Sequence, residues 1–429
     1  MPRLPEPRFA ADCAIVVDGS RVPARGGESV AAALLAAGRP LLGRSPKYHR
    51  PRGPFCLAGS CGQCLVRVEG QPNVRACRTA CRDGLRVETQ NAWPQASHDL
   101  LGAVDWLAPR GLDHHHLAIR PAVLNRVAVR VSRALSGTGR LPDAAPPPWP
   151  PAREERFEAV VVGGGPAGLG AAEALAAAGR RVLLAEQDRW LGGRLRARLF
   201  LPGDPPAPWA EEVAAAVRRA GGEVVLGAAA LGLWRDGGEP LLAILSEDPR
   251  WLRLVRAPRM VLCPGGAAQP PLFDGNDRPG IFAGRGLAVA LAEHGVVPGQ
   301  RAVVLGDGPE PDALAARLRQ AGMETAVTGA APARARGRRR VTALDLANGL
   351  RLECDTVAVC GPPAPACDLA REAGAAVAFD AALGAFAVRA GPDGATGVPG
   401  LWAAGETTGA LGAGEAAAAG RRAGEAARG

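Results

Sequence analysis

A small α+β module followed by a larger α/β unit is the fold class that this 429-residue sequence predicts. Three observations carry it. Short alternating apolar runs flank one alanine-rich stretch between Cys13 and Glu88, a strand–turn–helix–strand pattern follows a proline-rich run ending at Pro151, and a second strand and glycine turn begin at Arg301. At about 150 residues per domain the length corresponds to roughly three domains. With 47% hydrophobic and 22% charged residues, the chain cannot be wholly disordered, collagen-like or a disulfide-stapled miniprotein.

The 51 basic and 42 acidic side chains leave a formal charge of +9. Lys47 is the only lysine, every other basic residue is arginine, and Tyr48 is the only tyrosine. The arginines are scattered through an Ala-, Gly- and Pro-rich chain without an aromatic platform, so nucleic-acid binding is not expected. No uninterrupted apolar run reaches the ~18 residues of a membrane span, and the first thirty residues show no leader pattern, so an integral membrane segment is excluded and a cytoplasmic location expected.

The elements follow in order. Cys13-Ala-Ile-Val-Val and Ser20-Arg-Val-Pro flank an Asp18-Gly19 turn, which is a hairpin signal. Ser29 can cap a helix over Val30 to Ala37, and Gly38 stops it. Cys64 to Gly70 alternates like a strand, with another near Leu85 to Glu88, and the module spans residues 1–100. Residues 101–153 read as an irregular linker closing on Pro146-Pro-Pro-Trp-Pro-Pro151, which can continue neither helix nor sheet. Phe157 to Val162 reads as a buried strand, Ala167 to Ala178 as a helix and Arg181 to Glu186 as the next strand. A second such unit starts at Arg301-Ala-Val-Val-Leu-Gly306, and the glycine-rich tail Gly400 to Gly429 returns to the first. Residues 154–273 and 385–429 are therefore expected to form one nucleotide-binding domain, with 274–384 inserted as a second.

Five of the ten cysteines lie between Cys56 and Cys81. Cys56, Cys61, Cys64 and Cys77 are spaced C-x4-C-x2-C-x12-C, and the first three match the plant-type [2Fe–2S] pattern, which makes the module ferredoxin-like (β-grasp). Gly53, Gly59 and Gly62 let the backbone approach such a cluster with its N–H groups pointing inward. Four thiolates and two sulfides against two ferric ions leave a charge of about −2, which Arg52, Arg67, Arg75 and Arg78 would partly offset. The alternative is zinc, although zinc knuckles pair two short C-x2–4-C units and only Cys61/Cys64 has that spacing. Cys81 is the alternative to Cys77 as fourth ligand. Cys13, Cys263, Cys354, Cys360 and Cys367 read as ordinary thiols. His114, His115 and His116 receive no chemistry, because consecutive side chains rarely converge on one metal.

Gly163-Gly164-Gly165-Pro166-Ala167-Gly168 forms G-x-G-x-x-G between a strand and a helix. Gly163 makes the turn, Gly165 admits a pyrophosphate, and Gly168 permits close helix–strand packing, with the helix N-terminus facing the anion. Glu186 at the end of the next strand is placed for ribose hydroxyls. Gly193 and Arg194 form a basic loop where a phosphate or flavin edge could lie. The tail sequence Gly400-Leu-Trp-Ala-Ala-Gly405-Glu406-Thr-Thr-Gly resembles the late flavin motif of two-dinucleotide-domain flavoproteins, with Glu406 where aspartate is usual. Together the two motifs point to FAD. In the second unit, Gly306-Asp307-Gly308-Pro309-Glu310-Pro311 places proline at the third glycine position and carboxylates where a pyrophosphate would lie. Arg334, Arg336 and Arg338 to Arg340 could meet a 2′-phosphate or form a solvated loop. An eroded NAD(P)-type domain is the favoured reading.

Gly43-Arg-Ser-Pro-Lys-Tyr-His-Arg-Pro-Arg-Gly53, Glu88-Thr-Gln-Asn-Ala-Trp-Pro94 and Gly275-Asn-Asp-Arg-Pro-Gly280 resemble the N-terminal half of the heterotetrameric sarcosine oxidase alpha subunit. The cluster cysteines are more similar to the alpha and small ferredoxin-like subunits of opine, D-hydroxyproline or proline dehydrogenases and hydrogen cyanide synthase, fused into one chain. Nearly the whole chain is covered. The folate-binding region of the sarcosine oxidase subunit has no counterpart within these residues, so one-carbon transfer is not implied. The resemblance implies an electron-transfer oxidoreductase subunit carrying FAD and [2Fe–2S]. Its partner would be a catalytic, amino-acid-oxidase-like flavoprotein subunit of beta type, with room for FMN at the contact and a separate electron acceptor. No catalytic acid or base is assigned. The alternatives are a stand-alone NAD(P)H-dependent reductase and a non-catalytic scaffold subunit.

Overall fold

The alternating runs of the N-terminal module pair into a five-stranded sheet in the computed structural model, which describes residues 3–46, 48–102, 121–127, 141–145, 147–206, 208–247, 250–409 and 412–429. Lys47, the triplet His114 to His116, Pro146 and the linker stretches 103–120 and 128–140 lie outside the described residues. β1 (Cys13–Val17) and β2 (Ser20–Ala24) form the hairpin turned at Asp18-Gly19. α1 (Val30–Ala36) follows, with the Ser29 hydroxyl accepting from the Ala32 N–H at 3.2 Å. β3 (Leu65–Val68), β4 (Gln71–Arg75) and β5 (Arg86–Glu88) complete the order β2-β1-β5-β3-β4, with β5 parallel to β1. Every residue of α1 is buried, and Val30, Leu34, Ile15, Val66 and Val87 fill the core between helix and sheet. The expected linker is not wholly irregular, since residues 122–127 are helical. Proline is tolerated at the start of such a turn, where its missing N–H is not needed.

The flavin-type fold begins with β6 (Ala159–Val162), α2 (Pro166–Ala177), β7 (Val182–Ala185), α3 (Trp209–Arg219), β8 (Glu223–Val225) and β9 (Met260–Leu262). The inserted fold contains β10 (Ile281–Ala283), α4 (Gly284–His294), β11 (Arg301–Leu305), α5 (Pro309–Gln320), β12 (Glu324–Thr328) and β13 (Thr356–Val359), in a parallel sheet ordered β10-β13-β11-β12. β14 (Leu401–Ala403) and α7 (Ala413–Ala426) return to the first fold, whose parallel sheet reads β8-β7-β6-β9-β14; α6 (Asp368–Glu372) precedes them. Both sheets are fully parallel and bury continuous Val/Leu/Ala runs, as strands covered on both faces require.

The chain divides into two compact units, one of residues 1–146 and 270–361, the other of 147–269 and 362–429. In this division the chain crosses between the units at 269/270 and 361/362, against the expected insertion bounds of 273/274 and 384/385. The segment 362–384 belongs with the flavin-type fold for a packing reason. Ala364–Pro365 pairs with Gly266–Ala267, Glu372 accepts the Leu233 N–H at 3.2 Å, and Ala370 and Ala375 are buried with Leu233 and Val388. Double prolines mark both crossovers, Pro270-Pro271 and Pro362-Pro363. No helix among the described residues is long and apolar enough to cross a membrane.

α7 lies against α2 with almost no side-chain layer between them. A Cβ on Gly420 would sit 1.8 Å from the Ala167 carbonyl oxygen, and one on Gly170 would sit 2.3 Å from that of Ala417. Gly420→Val is expected to push the helices apart and cost about 1–3 kcal/mol or more, read as a lower urea midpoint.

Candidate functional sites: a thiol loop and a glycine turn

Residues 53–64 form neither helix nor strand and instead wrap a loop that carries three of the four predicted thiols. Gly59 and Gly62 have φ of +83° and +65°, so the loop turns back on itself where a side chain would be strained. Cys56, Cys64 and Cys77 are buried and Cys61 is half-buried. Their side chains are in mutual contact: Cys56 with Cys61 and Cys77, and Cys64 with Cys77. Hydrogen bonds from Cys61 and then Cys77 hold the Cys56 thiol well below its ordinary range, while the same contact pushes Cys61 up. Cys77 is pushed up in turn by its bonds to Cys56 and Cys64.

Among the described residues no three His, Cys, Asp or Glu side chains close round a single metal ion. The contacts instead run in sequence Cys61, Cys56, Cys77, Cys64, which puts two thiols at each end. A two-iron cluster, with two thiolates on each iron, fits that donor set better than one zinc ion. Cys81 stands apart: its main chain bonds to Glu28, and burial pushes its thiol up to about 12.

Of the four arginines expected near the thiols, two are held elsewhere. Arg52 pairs with Asp277 at 2.5 Å, and Arg67 bonds to Asp143 at 2.8 Å. Arg78 does lie on the loop, its stem packed where a Cβ on Gly59 would be 2.8 Å away. The three motif stretches converge in this same unit. Arg44 N–H donates to the Gln90 carbonyl at 3.1 Å, and a Cβ on Gly53 would lie 3.1 Å from that of Pro279. In the same unit, His49 Nδ1 lies 2.9 Å from the fully buried Asp99 carboxylate, which also accepts the Trp93 and Leu101 N–H groups.

In the other unit the glycine turn is built by main-chain contact. Gly163 has φ +100°, and a Cβ on it would sit 2.1 Å from the Cys263 carbonyl oxygen, while one on Gly168 would sit 1.7 Å from that of Gly163. Gly165 is the N-cap of α2, supplies no side-chain acceptor, and has no outside atom nearer than 4.0 Å to an added Cβ. With Pro166 at the first helical position and no side-chain cap, the first-turn N–H groups of α2 at the positive end of the helix dipole are left without a capping side chain. That is the cradle an anionic pyrophosphate needs.

Glu186 is buried behind this turn and accepts the Gly164 N–H at 2.6 Å on one oxygen and the Asp188 N–H at 2.6 Å on the other. Its carboxylate therefore fixes the loop as well as facing it. Gly193 approaches Gly165 so closely that its Cβ would be 3.0 Å from the Gly165 Cα, which brings the adjacent Arg194 to 3.5 Å from Glu406. Gly405, with φ +84°, packs on Ala167. The structure thus gathers every predicted residue of this site, from Gly163 to Glu406, around one turn. The sequence reading missed the Cys263-Pro264-Gly265-Gly266 corner, which underlies Gly163 and reaches Glu406; its signal was a Pro-Gly-Gly turn straight after the buried strand β9. Burial pushes the Cys263 thiol up to about 12, so it serves packing.

The second turn differs in chemistry. Gly306 and Gly308 keep left-handed φ of +137° and +99°, but Glu310 in the first turn of α5 is clamped by Arg285 at 2.7 Å and 3.1 Å. Arg334, Arg336 and Arg340 pair with Asp274, Asp345 and Asp355. Glu186→Ala would leave the buried Gly164 donor unpaired, and at ~1–3 kcal/mol per such donor it should lower flavin retention about ten-fold. Glu186→Gln, which keeps one acceptor oxygen, should lose less; flavin absorbance per protein after gel filtration measures both.

Residues 11–92 match a family described as a 2Fe-2S iron-sulfur cluster binding domain, and residues 158–231 match FAD dependent oxidoreductase. The chain is 31% identical over 332 residues to the alpha subunit of sarcosine oxidase from Rhizobium meliloti, covering 72% of this chain and 33% of that one. It is 41% identical over 86 residues to hydrogen cyanide synthase subunit HcnA of Pseudomonas aeruginosa, covering 20% of this chain and 82% of that one. An opine oxidase subunit from Rhizobium meliloti is 31% identical over 188 residues, covering 41% of this chain and 40% of that one. The chain thus spans about a third of the length of the sarcosine oxidase subunits it matches. The fold is shared with L-proline dehydrogenase from P. horikoshii at a TM-score of 0.73 and 21% identity, covering 96% of this chain and 72% of that one. The chain thus carries a 2Fe-2S iron-sulfur cluster binding domain and a segment of the FAD dependent oxidoreductase family, and it is similar to subunits of sarcosine oxidase, opine oxidase and hydrogen cyanide synthase.

Proposed function

We propose that this chain is the electron-transfer subunit of a heteromeric amine or amino acid dehydrogenase or oxidase, of the sarcosine, opine, proline or hydroxyproline type. The observation that carries the reading is the pairing of Cys56 with Cys61 and of Cys64 with Cys77, in a chain that also builds the glycine turn at Gly163 to Gly168. Under it, Cys56, Cys61, Cys64 and Cys77 ligate the cluster and Cys81 does not. FAD lies on Gly163, Gly165, Pro166, Ala167 and Gly168, with Glu186, Gly193, Arg194, Gly405 and Glu406 around it. When bound, the flavin accepts two electrons and the cluster passes them singly.

The protein groups bind and tune. The Ala167 and Gly168 N–H groups meet the pyrophosphate charge, Glu186 holds the loop in the shape that presents them, and Arg78 sets a positive charge beside the anionic thiol loop. Substrate oxidation falls to a beta-type, amino-acid-oxidase-like flavoprotein partner, with FMN at the contact; that the relatives are named as subunits supports this division. The second turn is under this reading an eroded NAD(P)-type site, in which Glu310 and Asp312 in the first turn of α5, with Asp307 before it, would repel a pyrophosphate.

The purified chain is expected to contain iron and acid-labile sulfide in proportion to flavin. Cys77→Ser abolishes the iron signal and Cys81→Ser preserves it, and the reverse pattern would transfer the fourth ligand to Cys81. Rapid flavin bleaching by NADH or NADPH under anaerobic conditions, without a partner subunit, would overturn the subunit reading in favour of a stand-alone reductase. A colourless chain that still binds its partner would leave only a scaffold.

A further inference from the structure

We infer that the inserted nucleotide-type domain is the seat of the cluster loop, and that Gly286 is the positioning residue through which it acts. The inference rests on the proposed role of Cys56 as a cluster ligand. Phe55, Cys56 and Leu57 lie along the first turn of α4, main chain against main chain. The Ala283 N–H donates to the Phe55 carbonyl at 2.9 Å. A Cβ on Gly286 would sit 2.2 Å from the Cys56 carbonyl oxygen and 3.2 Å from the Leu57 Cβ. The nearest obstacle is backbone, which cannot swing aside as the end of a side chain can.

Leu57 itself has φ +53°, a conformation a leucine keeps only when its surroundings impose it. The helix supplies that constraint because its other end is also gripped by the ferredoxin-like module. Arg3 donates to the His294 carbonyl at 2.9 Å, Arg25 to the Glu293 carbonyl at 3.0 Å, and the Leu4 N–H to the Gly295 carbonyl at 2.8 Å. Arg3 is anchored in turn to the fully buried Glu28 at 2.6 Å. Cations and a donor therefore satisfy the last carbonyls of α4, while its first turn carries the ligand loop. Arg52–Asp277 and the Gly53–Pro279 contact extend the same seam. A domain that holds thiols in register needs no nucleotide, which gives the inserted fold a role independent of its altered glycine turn.

The test uses the full chain with Gly286→Ala and, as control, Gly284→Ala, whose Cβ meets Cys360, Val359 and Leu314 within the inserted domain rather than the Cys56 main chain. Gly286→Ala is expected to retain flavin, to lose iron to a chelator about ten-fold faster than wild type, and to shift the electron paramagnetic resonance signal of the dithionite-reduced protein. In full-length protein stripped of iron, iodoacetamide should label Cys56 about ten-fold faster in Gly286→Ala, as mapped by peptide mass spectrometry. Arg25→Met, which loosens the far end of α4 without adding volume, should give a smaller acceleration in both assays and serves if Gly286→Ala does not fold. Unchanged chelation, resonance and Cys56 labelling in these variants would overturn the inference, as would equal changes in Gly284→Ala. Absence of iron from the wild type would instead refute the cluster reading, and the labelling comparison would still decide whether α4 seats the loop.

Discussion

Both candidate sites depend on backbone packed directly on backbone. The glycine turn at Gly163 to Gly168 keeps its shape because the Cys263 carbonyl and the neighbouring turn occupy space that any side chain would need. The same device joins α7 to α2 at Gly420 and Ala167, so the helix whose N-terminus faces the open cradle is fixed from behind. In the other unit, Gly286 lets the Cys56 main chain settle on α4. Such contacts hold a loop more rigidly than side-chain packing does, because there is no rotamer to adjust. A site that must receive a large preformed group needs that rigidity.

Charge explains why two glycine turns of similar shape differ in chemistry. At the first, the Glu186 carboxylate behind the helix start is turned inward and accepts from two main-chain donors, so it does not cap the helix end. At the second, the carboxylate sits within the first helical turn itself and draws Arg285 onto it. An internal anion has taken the place an external one would need. The arginine-rich strands beside it are similarly engaged with Asp274, Asp345 and Asp355. Many of the arginines in this chain are thus paired locally with carboxylates, although the net charge of +9 is unchanged by such pairing.

The loop with Cys56, Cys61 and Cys64, the glycine turn, Glu186 and the late Gly405-Glu406 motif were all legible in the sequence, because each rests on local geometry. Fixed spacing places cysteines on one loop, and a strand-to-helix turn demands glycine where it bends. The edges of the insertion were not. Without a glycine motif near residue 362, the segment Ala364 to Gly384 gave no sign that it returns to the first fold, and its pairing with Gly266–Ala267 and its packing with Leu233 assign it there. The double prolines at both crossovers were visible but ambiguous, since Pro-rich runs also mark ordinary loops.

The α+β module and the split α/β fold follow from sequence alone, since hydrophobic period, caps and glycine turns act over a few residues. Which thiols meet is a different matter. Cys77 and Cys81 are equally buried in pattern and only four residues apart, yet β4 and its following turn carry Cys77 onto Cys56 and Cys64 while Cys81 bonds back toward Glu28. The fate of the arginines near the cluster, and the seating of the thiol loop on a helix more than two hundred residues later, were likewise decided by tertiary structure. Contacts between segments so distant in the chain depend on how sheets and helices stack, and no local pattern encodes that stacking.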